Sequence, residues 1–249
     1  MDLKGKKVIV TGGVGGLGRA MVDKLVSGGA AVTVFDINPR EFDNLKQAHA
    51  TVHCVECDVS DYDQVLKATT DYHENFGAAD VVINNAGILY SSPLLKISAS
   101  GIEKHDVGMW NKLLTTDLSS VFFMTVCSVE KMIATRTRGV IVNISSVASS
   151  GIPGASAYSA AKAGVNALTA AWAKELSPLG IRVIAIAPGF ADTASTRAAM
   201  SAGALSETIS KVPLRRLGKP DEIAQGVIAA IQNDFFNGKV FDLDGGLVI

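Results

Sequence analysis

Seven short runs rich in Val and Ile recur along the 249-residue chain, and helix-length segments separate them. Almost continuously apolar runs of this length are typical of strands that are buried on both faces. Alternation of such strands with helices indicates a parallel sheet with right-handed crossovers. The sequence therefore predicts an α/β fold, in which a single doubly wound domain over 1–249 has a seven-stranded parallel sheet with helices on both faces.

No linker, internal repeat or low-complexity segment divides the chain. The predicted strands are 6–11, 31–36, 51–56, 80–84, 139–145, 181–187 and 239–243, and the clearest predicted helices are 16–27, 61–76, 110–135, 157–177 and 220–232. Two stretches between these elements, 90–108 and 190–210, are predicted to be irregular. We expect both to carry substrate contacts, the second as a mobile lid.

Composition narrows the class of partner. The chain is 48% hydrophobic and 19% charged with a formal net charge of −1, which argues against disorder and against a nucleic-acid partner. Three cysteines are too few for a disulfide framework. No signal peptide and no uninterrupted apolar run of membrane-spanning length are found. These features predict a cytoplasmic protein that acts on a small molecule, with no membrane partner.

The first predicted strand runs into a glycine-rich stretch, TGGVGGLG, over residues 11–18. Gly13, Gly15 and Gly18 satisfy the GxGxxG pattern, whereas Thr11, Gly12, Gly16 and Gly18 satisfy the TGxxxGxG pattern. In either register a strand ends at the N-terminus of a helix, where backbone N–H groups bind a pyrophosphate. The stretch therefore predicts a dinucleotide site and leaves the register open.

Asp36 closes the second predicted strand, 18 residues after Gly18. A carboxylate at this position accepts hydrogen bonds from the adenosine ribose of NAD and repels the additional phosphate of NADP. Gly15 is not a basic residue that could offset this repulsion. We therefore predict NAD as the cofactor.

Tyr158 and Lys162 lie four residues apart in a predicted helix and share one face. An ammonium group near a phenol stabilises the phenolate and prepares it for proton transfer. Ser145 and Ser146 follow a predicted strand, and a hydroxyl there could polarise the carbonyl that the tyrosine protonates. The pattern indicates acid–base chemistry at a carbonyl or alcohol.

Eight motifs along nearly the whole chain resemble the short-chain dehydrogenase/reductase family, in its 3-oxoacyl-acyl-carrier-protein-reductase-like branch. They are TGGVGGLG (11–18), Asp36, CDV (57–59), NNAG (84–87), NISS (143–146), YSAAK (158–162), PGFADT (188–193) and DGG (244–246). The resemblance implies a Rossmann-type fold and the TGxxxGxG register. It leaves Gly13 and Gly15 as permissive loop positions, and it implies a homo-oligomer, a tetramer or a dimer.

The resemblance also assigns candidate site residues. It implies cofactor contacts from Gly12, Gly16, Leu17, Gly18, Asp36, Asp58, Val59, Asn85, Ala86, Gly87, Tyr158, Lys162, Pro188, Gly189 and Thr193. It makes Tyr158 the general acid/base, with Lys162 holding the nicotinamide ribose. The catalytic serine of the family is usually the second of the pair, Ser146. The interval to Tyr158 is one residue shorter than is common, so Ser145 stays an alternative.

Asp117 departs from the pattern, because the family has an asparagine there that supports a water-mediated proton relay to the lysine. One interpretation is a tolerated near-isostere, and the other is a relay that titrates, which places Asp117 with the catalytic residues. The expected reaction is reversible hydride transfer between NAD and a secondary alcohol or ketone. The alternative is a dinucleotide-binding or assembly protein without turnover. A sugar-nucleotide epimerase is disfavoured, because no C-terminal domain follows the last strand.

Two further features carry candidate chemistry that the resemblance does not assign. Cys54 and Cys57 form C-x-x-C, but no second pair accompanies them, so we expect core packing and no metal site. Arg197 is the only Lys or Arg between Phe190 and Ser210. It could close over an anionic group of the substrate, or it could be a solvated surface residue.

Overall fold

The computed structural model describes residues 1–247, which form an α/β fold around one large sheet. The strands are β1 (Lys7–Thr11), β2 (Ala31–Asp36), β3 (His53–Glu56), β4 (Val81–Asn84), β5 (Leu95–Ser98), β6 (Gly101–Lys104), β7 (Val140–Ile144), β8 (Arg182–Pro188) and β9 (Val240–Leu243). The helices are α1 (Gly16–Ser27), α2 (Phe42–Ala48), α3 (Tyr62–Phe76), α4 (Val107–Leu114), α5 (Ser120–Ala134), α6 (Ser156–Leu176), α7 (Ala194–Ala199), α8 (Ala202–Lys211) and α9 (Pro220–Gln232).

The large sheet has seven parallel strands in the order β3-β2-β1-β4-β7-β8-β9. The predicted fold class is therefore confirmed. The chain leaves β1 toward β2 on one side and later returns to place β4 on the other side. This change of direction is the topological switch point, where the carboxyl ends of the strands leave a crevice for a ligand.

Side chains of the central strands alternate between two apolar layers. Val8 and Val10 of β1 pack in one cluster with Val227 of α9, whereas Ile9 packs in another with Met124 of α5. All five side chains are almost completely buried. Burial of one such side chain stabilises the fold by about 1.5–3 kcal/mol, so both layers fix the strand ends that form the crevice.

The structure corrects the prediction in the regions between the main strands. The predicted helix 110–135 is α4, a π-helical turn over Thr115–Ser119 and α5, which together make one continuous helical stretch. The stretch 90–108 contains the antiparallel hairpin of β5 and β6, and 190–210 contains α7 and α8. Small residues dominate α7 and α8, so apolar periodicity did not reveal them.

The stretch Val107–Ala134 is long and apolar enough, by length and composition, to cross a membrane. In the fold it packs beside the sheet, and 50% of its most apolar window is buried. A core helix meets the same criterion.

Candidate functional site

The carboxyl ends of β1 and β4 lie side by side at the switch point, and the glycine-rich turn connects β1 to α1 there. α1 begins at Gly16, and its N-cap residue, Gly15, makes no side-chain capping hydrogen bond. The first turn of α1 carries no acidic residue. Its free N–H groups and the positive end of the helix dipole therefore fit the pyrophosphate of a dinucleotide.

Three glycines of this turn, Gly12, Gly13 and Gly18, lie too close to neighbouring atoms to accommodate a Cβ without a shift. Gly12 has a φ of +64°, and a Cβ there would lie 2.9 Å from the Ala86 Cα. A Cβ on Gly18 would collide with the carbonyl oxygen of Gly12. Gly15 has open space around it, whereas a Cβ on Gly13 would lie 2.7 Å from a methyl group of Val34. Gly13 is thus a packing position, and the expectation that it is permissive was wrong.

Asn85 fastens the glycine turn to the end of β4. Its amide nitrogen Nδ2 donates to the carbonyl oxygens of Thr11 and Gly12 at 2.9 and 3.0 Å. In return, Thr11 Oγ1 accepts from the backbone N–H groups of Asn85 and Ala86. These bonds hold the two walls of the crevice together, and the Asn85 amide group is used within the protein.

Asp36 lies at the carboxyl end of β2, next to the glycine turn. Its two carboxylate oxygens accept from the backbone N–H groups of Val14 at 3.2 Å and Asn38 at 3.0 Å. β3 pairs with β2 at this edge, so Asp58 and Val59 follow on the same side of the sheet. The structure therefore groups these three predicted adenosine-side residues beside the glycine turn.

Lys162 and Tyr158 share a face of α6, as their spacing predicted. The Lys162 Nζ lies 5.5 Å from the centroid of the Tyr158 ring. The lysine is buried and donates to the carbonyl oxygen of Ile144, the last residue of β7, at 3.0 Å. The half-buried tyrosine packs beside Ala157 and Ala161. The buried ammonium thus lies over the Tyr158 ring and is held at the edge of the sheet.

The two serines after β7 have different partners. Ser145 Oγ donates a hydrogen bond of 2.6 Å to Asn166 Oδ1, so its hydroxyl hydrogen is already used by a residue of α6. Ser146 is the N-cap of a short 3₁₀ turn, and its Oγ accepts from the Ala148 N–H at 3.1 Å. Its own proton has no acceptor among residues 1–247. Asn166 was not a sequence candidate, and only the helical spacing from Lys162 could have indicated it.

Asp117 lies in the π-helical turn and is 1% exposed. Its Oδ1 accepts from the Ile88 N–H at 2.8 Å, and its Oδ2 lies 3.3 Å from the Lys162 Nζ. Burial raises the pKa of this carboxyl, while Lys162 and the Ile88 N–H act in the opposite direction. The sequence predicted that the Asp117 carboxylate reaches Lys162 through a water molecule, whereas the structure places the two groups in direct ionic contact.

The loop after β8 closes the other side of the crevice. Gly189 follows Pro188, and a Cβ on Gly189 would lie 2.8 Å from the Asp244 Cα in the DGG motif. Thr193 caps α7 by accepting from the Thr196 N–H at 3.1 Å. The Thr193 methyl group also lies 3.8 Å from where a Gly16 Cβ would be, which brings the start of the 190–210 stretch to the start of α1.

Arg197 has a partner that the sequence analysis missed. Its guanidinium donates two hydrogen bonds, of 2.6 and 2.8 Å, to the carboxylate of Asp192. Hydrogen bonding to Arg197 lowers the pKa of Asp192. The guanidinium is therefore paired with Asp192 within the 190–210 stretch, and its contact with an anionic substrate stays a prediction.

The hairpin of β5 and β6 is fastened to the segment that precedes α6. Ser92 N donates to the Gly154 carbonyl oxygen at 2.7 Å, and His105 Nδ1 lies 3.2 Å from the Ser92 carbonyl oxygen. The His105 ring makes edge contacts with Tyr90 and Trp110. Tyr90 belongs to the same apolar cluster as Tyr158, so the hairpin base is packed near the predicted acid/base.

The C-x-x-C pair contributes no evident chemistry. Burial raises the pKa of the Cys57 thiol to about 12, which keeps it protonated. Cys54, Cys57 and Cys127 are free thiols. Within residues 1–247 no group of three or more His, Cys, Asp or Glu side chains could hold a metal ion.

Comparison with known proteins places this arrangement in context. Residues 6–203 match the profile of a family described as short chain dehydrogenase. The 3-oxoacyl-[acyl-carrier-protein] reductase FabG of Thermotoga maritima is 36% identical over 100% of both chains. The 3-hydroxyacyl-CoA dehydrogenase type-2 of Bos taurus is 34% identical, over 99% of this chain and 96% of its own. The crystal structure of gox2181 matches with a TM-score of 0.89 and 29% identity, over 98% of this chain and 97% of that one.

Proposed function

The chain belongs to the short-chain dehydrogenase family, whose members are oxidoreductases, and we propose that it interconverts the 3-hydroxy and 3-oxo forms of an acyl thioester with NAD. The observation that carries the proposal is that Lys162 lies over the Tyr158 ring and bonds to Ile144, two residues before Ser146. The parallel sheet has an uncapped helix N-terminus at the same end, after β1, and Asp36 at the end of β2. A thioester is favoured because relatives along the full chain are named for 3-oxoacyl and 3-hydroxyacyl thioesters. The alternative of a dinucleotide-binding protein without turnover is not favoured.

NAD is proposed over NADP because of Asp36. The carboxylate is 7% exposed and lies beside the glycine turn, where a ribose phosphate would place a second negative charge. Neither Gly15 nor Ile37, the residue after Asp36, supplies a cation. The basic group of Arg19 in the first turns of α1 is paired with Asp23 at 2.9 Å. None of these three positions therefore offers a free cation to offset the repulsion of the additional phosphate of NADP.

The glycine turn fits a dinucleotide, because Gly12 and Gly18 let the turn pack closely against the protein backbone while the space beside Gly15 and Gly16 stays open in front of the uncapped helix N-terminus. We assign the pyrophosphate to the N–H groups at Gly16, Leu17 and Gly18, and the adenosine to Asp36, Asp58 and Val59. We assign the nicotinamide end to Asn85, Ala86, Gly87, Tyr158, Lys162, Pro188, Gly189 and Thr193. Held by these residues, the nicotinamide would supply the hydride acceptor for oxidation of the alcohol and the hydride donor for reduction of the ketone.

The protein residues then handle the proton and the oxyanion. In oxidation, Tyr158 as phenolate takes the hydroxyl proton while the carbon loses its hydride. In reduction, the Tyr158 phenol returns the proton to the oxygen. The Ser146 hydroxyl donates a hydrogen bond to that oxygen and stabilises its developing negative charge. Lys162 favours the phenolate through its charge and binds the nicotinamide ribose.

Two further features of the enzyme belong to the same proposal. We place the substrate wall at the hairpin of β5 and β6, because its base is fastened to the segment that leads to Tyr158. We also propose a homo-oligomer, a tetramer or a dimer, in the cytoplasm. Phe122, Val126 and Ile133 are each more than 40% exposed and lie on one face of α5, which suits contact with a second copy.

The test is an assay of the purified protein with acetoacetyl-CoA as the probe and with NADH or NADPH. We expect turnover with NADH and much lower efficiency with NADPH. Tyr158→Phe should lose turnover and keep its affinity for NAD, because the ring remains and the proton donor is gone. A preference for NADPH would reject NAD as the proposed cofactor. Turnover restricted to alcohols without a thioester would reject the substrate class.

A further inference from the structure

Asp117 and Lys162 form a buried ion pair next to the reacting phenol. Their side chains are 1% and 5% exposed, and 3.3 Å separates Oδ2 from Nζ. Asp117 Oδ1 is held by the Ile88 N–H, while Oδ2 accepts no hydrogen bond of good geometry among residues 1–247. Oδ2 also lies against Gly87, since a Cβ there would be 2.8 Å away. The carboxylate is therefore fixed between the crevice backbone and the lysine.

The π-helical turn produces this placement. Thr115–Ser119 widens the helical path between α4 and α5, and Asp117 is its buried residue. Such turns are rare and occur frequently at functional sites. An amide at position 117 would accept the same Ile88 hydrogen bond without carrying charge. The distinctive contribution of the aspartate is therefore its charge.

The charge acts on Tyr158 through Lys162. An ammonium near the phenol favours the phenolate, but a carboxylate in contact with that ammonium leaves the pair with no net charge. We propose that ionised Asp117 offsets the field of Lys162, so that Tyr158 remains a protonated acid up to higher pH and the reduction rate is maintained up to higher pH. Asp117 is then a positioning residue that acts through Lys162. This inference rests on the proposed acid/base role of Tyr158.

No other charge competes for this role in the described part of the chain. The surrounding segments carry Tyr158 and Lys162 on α6, Tyr90 on the loop after β4, His105 at the end of the hairpin and Lys112 on α4. Of these, only Lys162 contacts the Asp117 carboxylate or influences its pKa. Asn84 and Asn143, on β4 and β7, are neutral. The Asp117–Lys162 pair can therefore be tested with a single substitution.

The experiment compares wild type with Asp117→Asn, which keeps the volume and the Ile88 contact. The first readout needs no substrate: ultraviolet absorbance titration of tyrosinate, with Tyr158 isolated by subtracting a Tyr158→Phe titration in each background. We expect Tyr158 to ionise about one pH unit or more lower in Asp117→Asn. Asp71→Asn removes an exposed acid on α3 and should shift nothing.

The second readout is the pH dependence of the turnover number in both directions. Asp117→Asn should move the rise of the oxidation rate, and the fall of the reduction rate, to lower pH by the same amount. Superimposable titrations, or a shift to higher pH, would overturn the inference. A shifted titration in a protein that does not turn over acetoacetyl-CoA would uphold the charge effect and reject only the proposed substrate.

Discussion

Ser145 Oγ donates its proton to Asn166 Oδ1, whereas the neighbouring Ser146 Oγ accepts from the Ala148 N–H and keeps its proton available. A hydroxyl that stabilises an oxyanion must donate. The hydrogen bonds around the two serines therefore favour Ser146 as the donor to the substrate oxygen, which the shortened interval to Tyr158 had left open.

Ser146→Ala should lower the turnover number about 10²- to 10³-fold, the usual cost of one oxyanion donor, with NAD affinity unchanged. Ser145→Ala should mainly lower stability, by about 1–3 kcal/mol, because Asn166 Oδ1 loses its buried donor. Steady-state kinetics and thermal unfolding of both variants check this. A larger loss of turnover in Ser145→Ala would reverse the assignment.

The glycine turn offers three graded substitutions. Gly18→Ala should abolish NAD binding or folding, because the new Cβ collides with the Gly12 carbonyl. Gly13→Ala should cost about 1–3 kcal/mol by overpacking against Val34. Gly15→Ala, with open space and an extended φ of −144°, is the matched control and should melt near wild type. Calorimetric NAD titration and melting curves rank the three, and an intact Gly18→Ala would contradict the packing.

Patterns of short range in the sequence predicted most of the fold. The predicted helix 220–232 has the same bounds as α9, and the bounds of each of the seven predicted strands lie within two residues of those observed. The two strands of the hairpin, β5 and β6, were not predicted. These elements carry a repeating apolar signal that local sequence displays. The hairpin lacked one, because its side chains are exposed on both faces.

The site was predictable where its geometry is helical or follows strand ends. Tyr158 and Lys162 share a face because four residues make about one turn. The Asp192 bond to Arg197 and the direct contact of Asp117 with Lys162 depend on a loop path and on a π-helical turn. Neither has a period in the sequence, so their side-chain partners could not be read from spacing.

The ion pair between Arg197 and Asp192 makes a prediction about the role of Arg197. Suppose that Arg197 acts only by binding Asp192. The KM for acetoacetyl-CoA should then change by the same factor in Arg197→Ala, in Asp192→Ala and in the double variant. Removal of either partner breaks the same bidentate contact. Kinetics of the three variants check this. A larger effect of Arg197→Ala alone would mean that the guanidinium contacts the substrate.

The apolar face of α5 makes a prediction about assembly. Phe122→Lys places a charge on this face, at a residue that is 47% exposed in the single chain. If a second copy covers the face, light scattering should show a smaller assembly than wild type, because an unpaired charge would be buried. Asp43→Lys, an exposed position on α2 in the other apolar layer, changes the charge away from this face and serves as the control. An unchanged mass for Phe122→Lys would place the contact on another surface.

The hairpin can be removed cleanly because its ends already meet. His105 N donates to the Leu94 carbonyl oxygen at 3.0 Å, so an Asn-Gly turn can replace Leu95–Lys104 and join Leu94 to His105. All eight strand residues are exposed, so the shortened protein should melt near wild type.

The shortened enzyme should show a raised KM for acyl thioesters, with the KM for NADH unchanged. Ile97 and Ile102, paired across the strands and 79% and 68% exposed, offer apolar contact to an acyl chain. The loss should therefore grow with chain length, as each buried CH₂ contributes about 0.8 kcal/mol. Ala99→Asn with Ser100→Gly keeps the strands and is the control. Equal KM values across a series of 3-oxoacyl-CoA lengths would place the hairpin outside the path of the substrate.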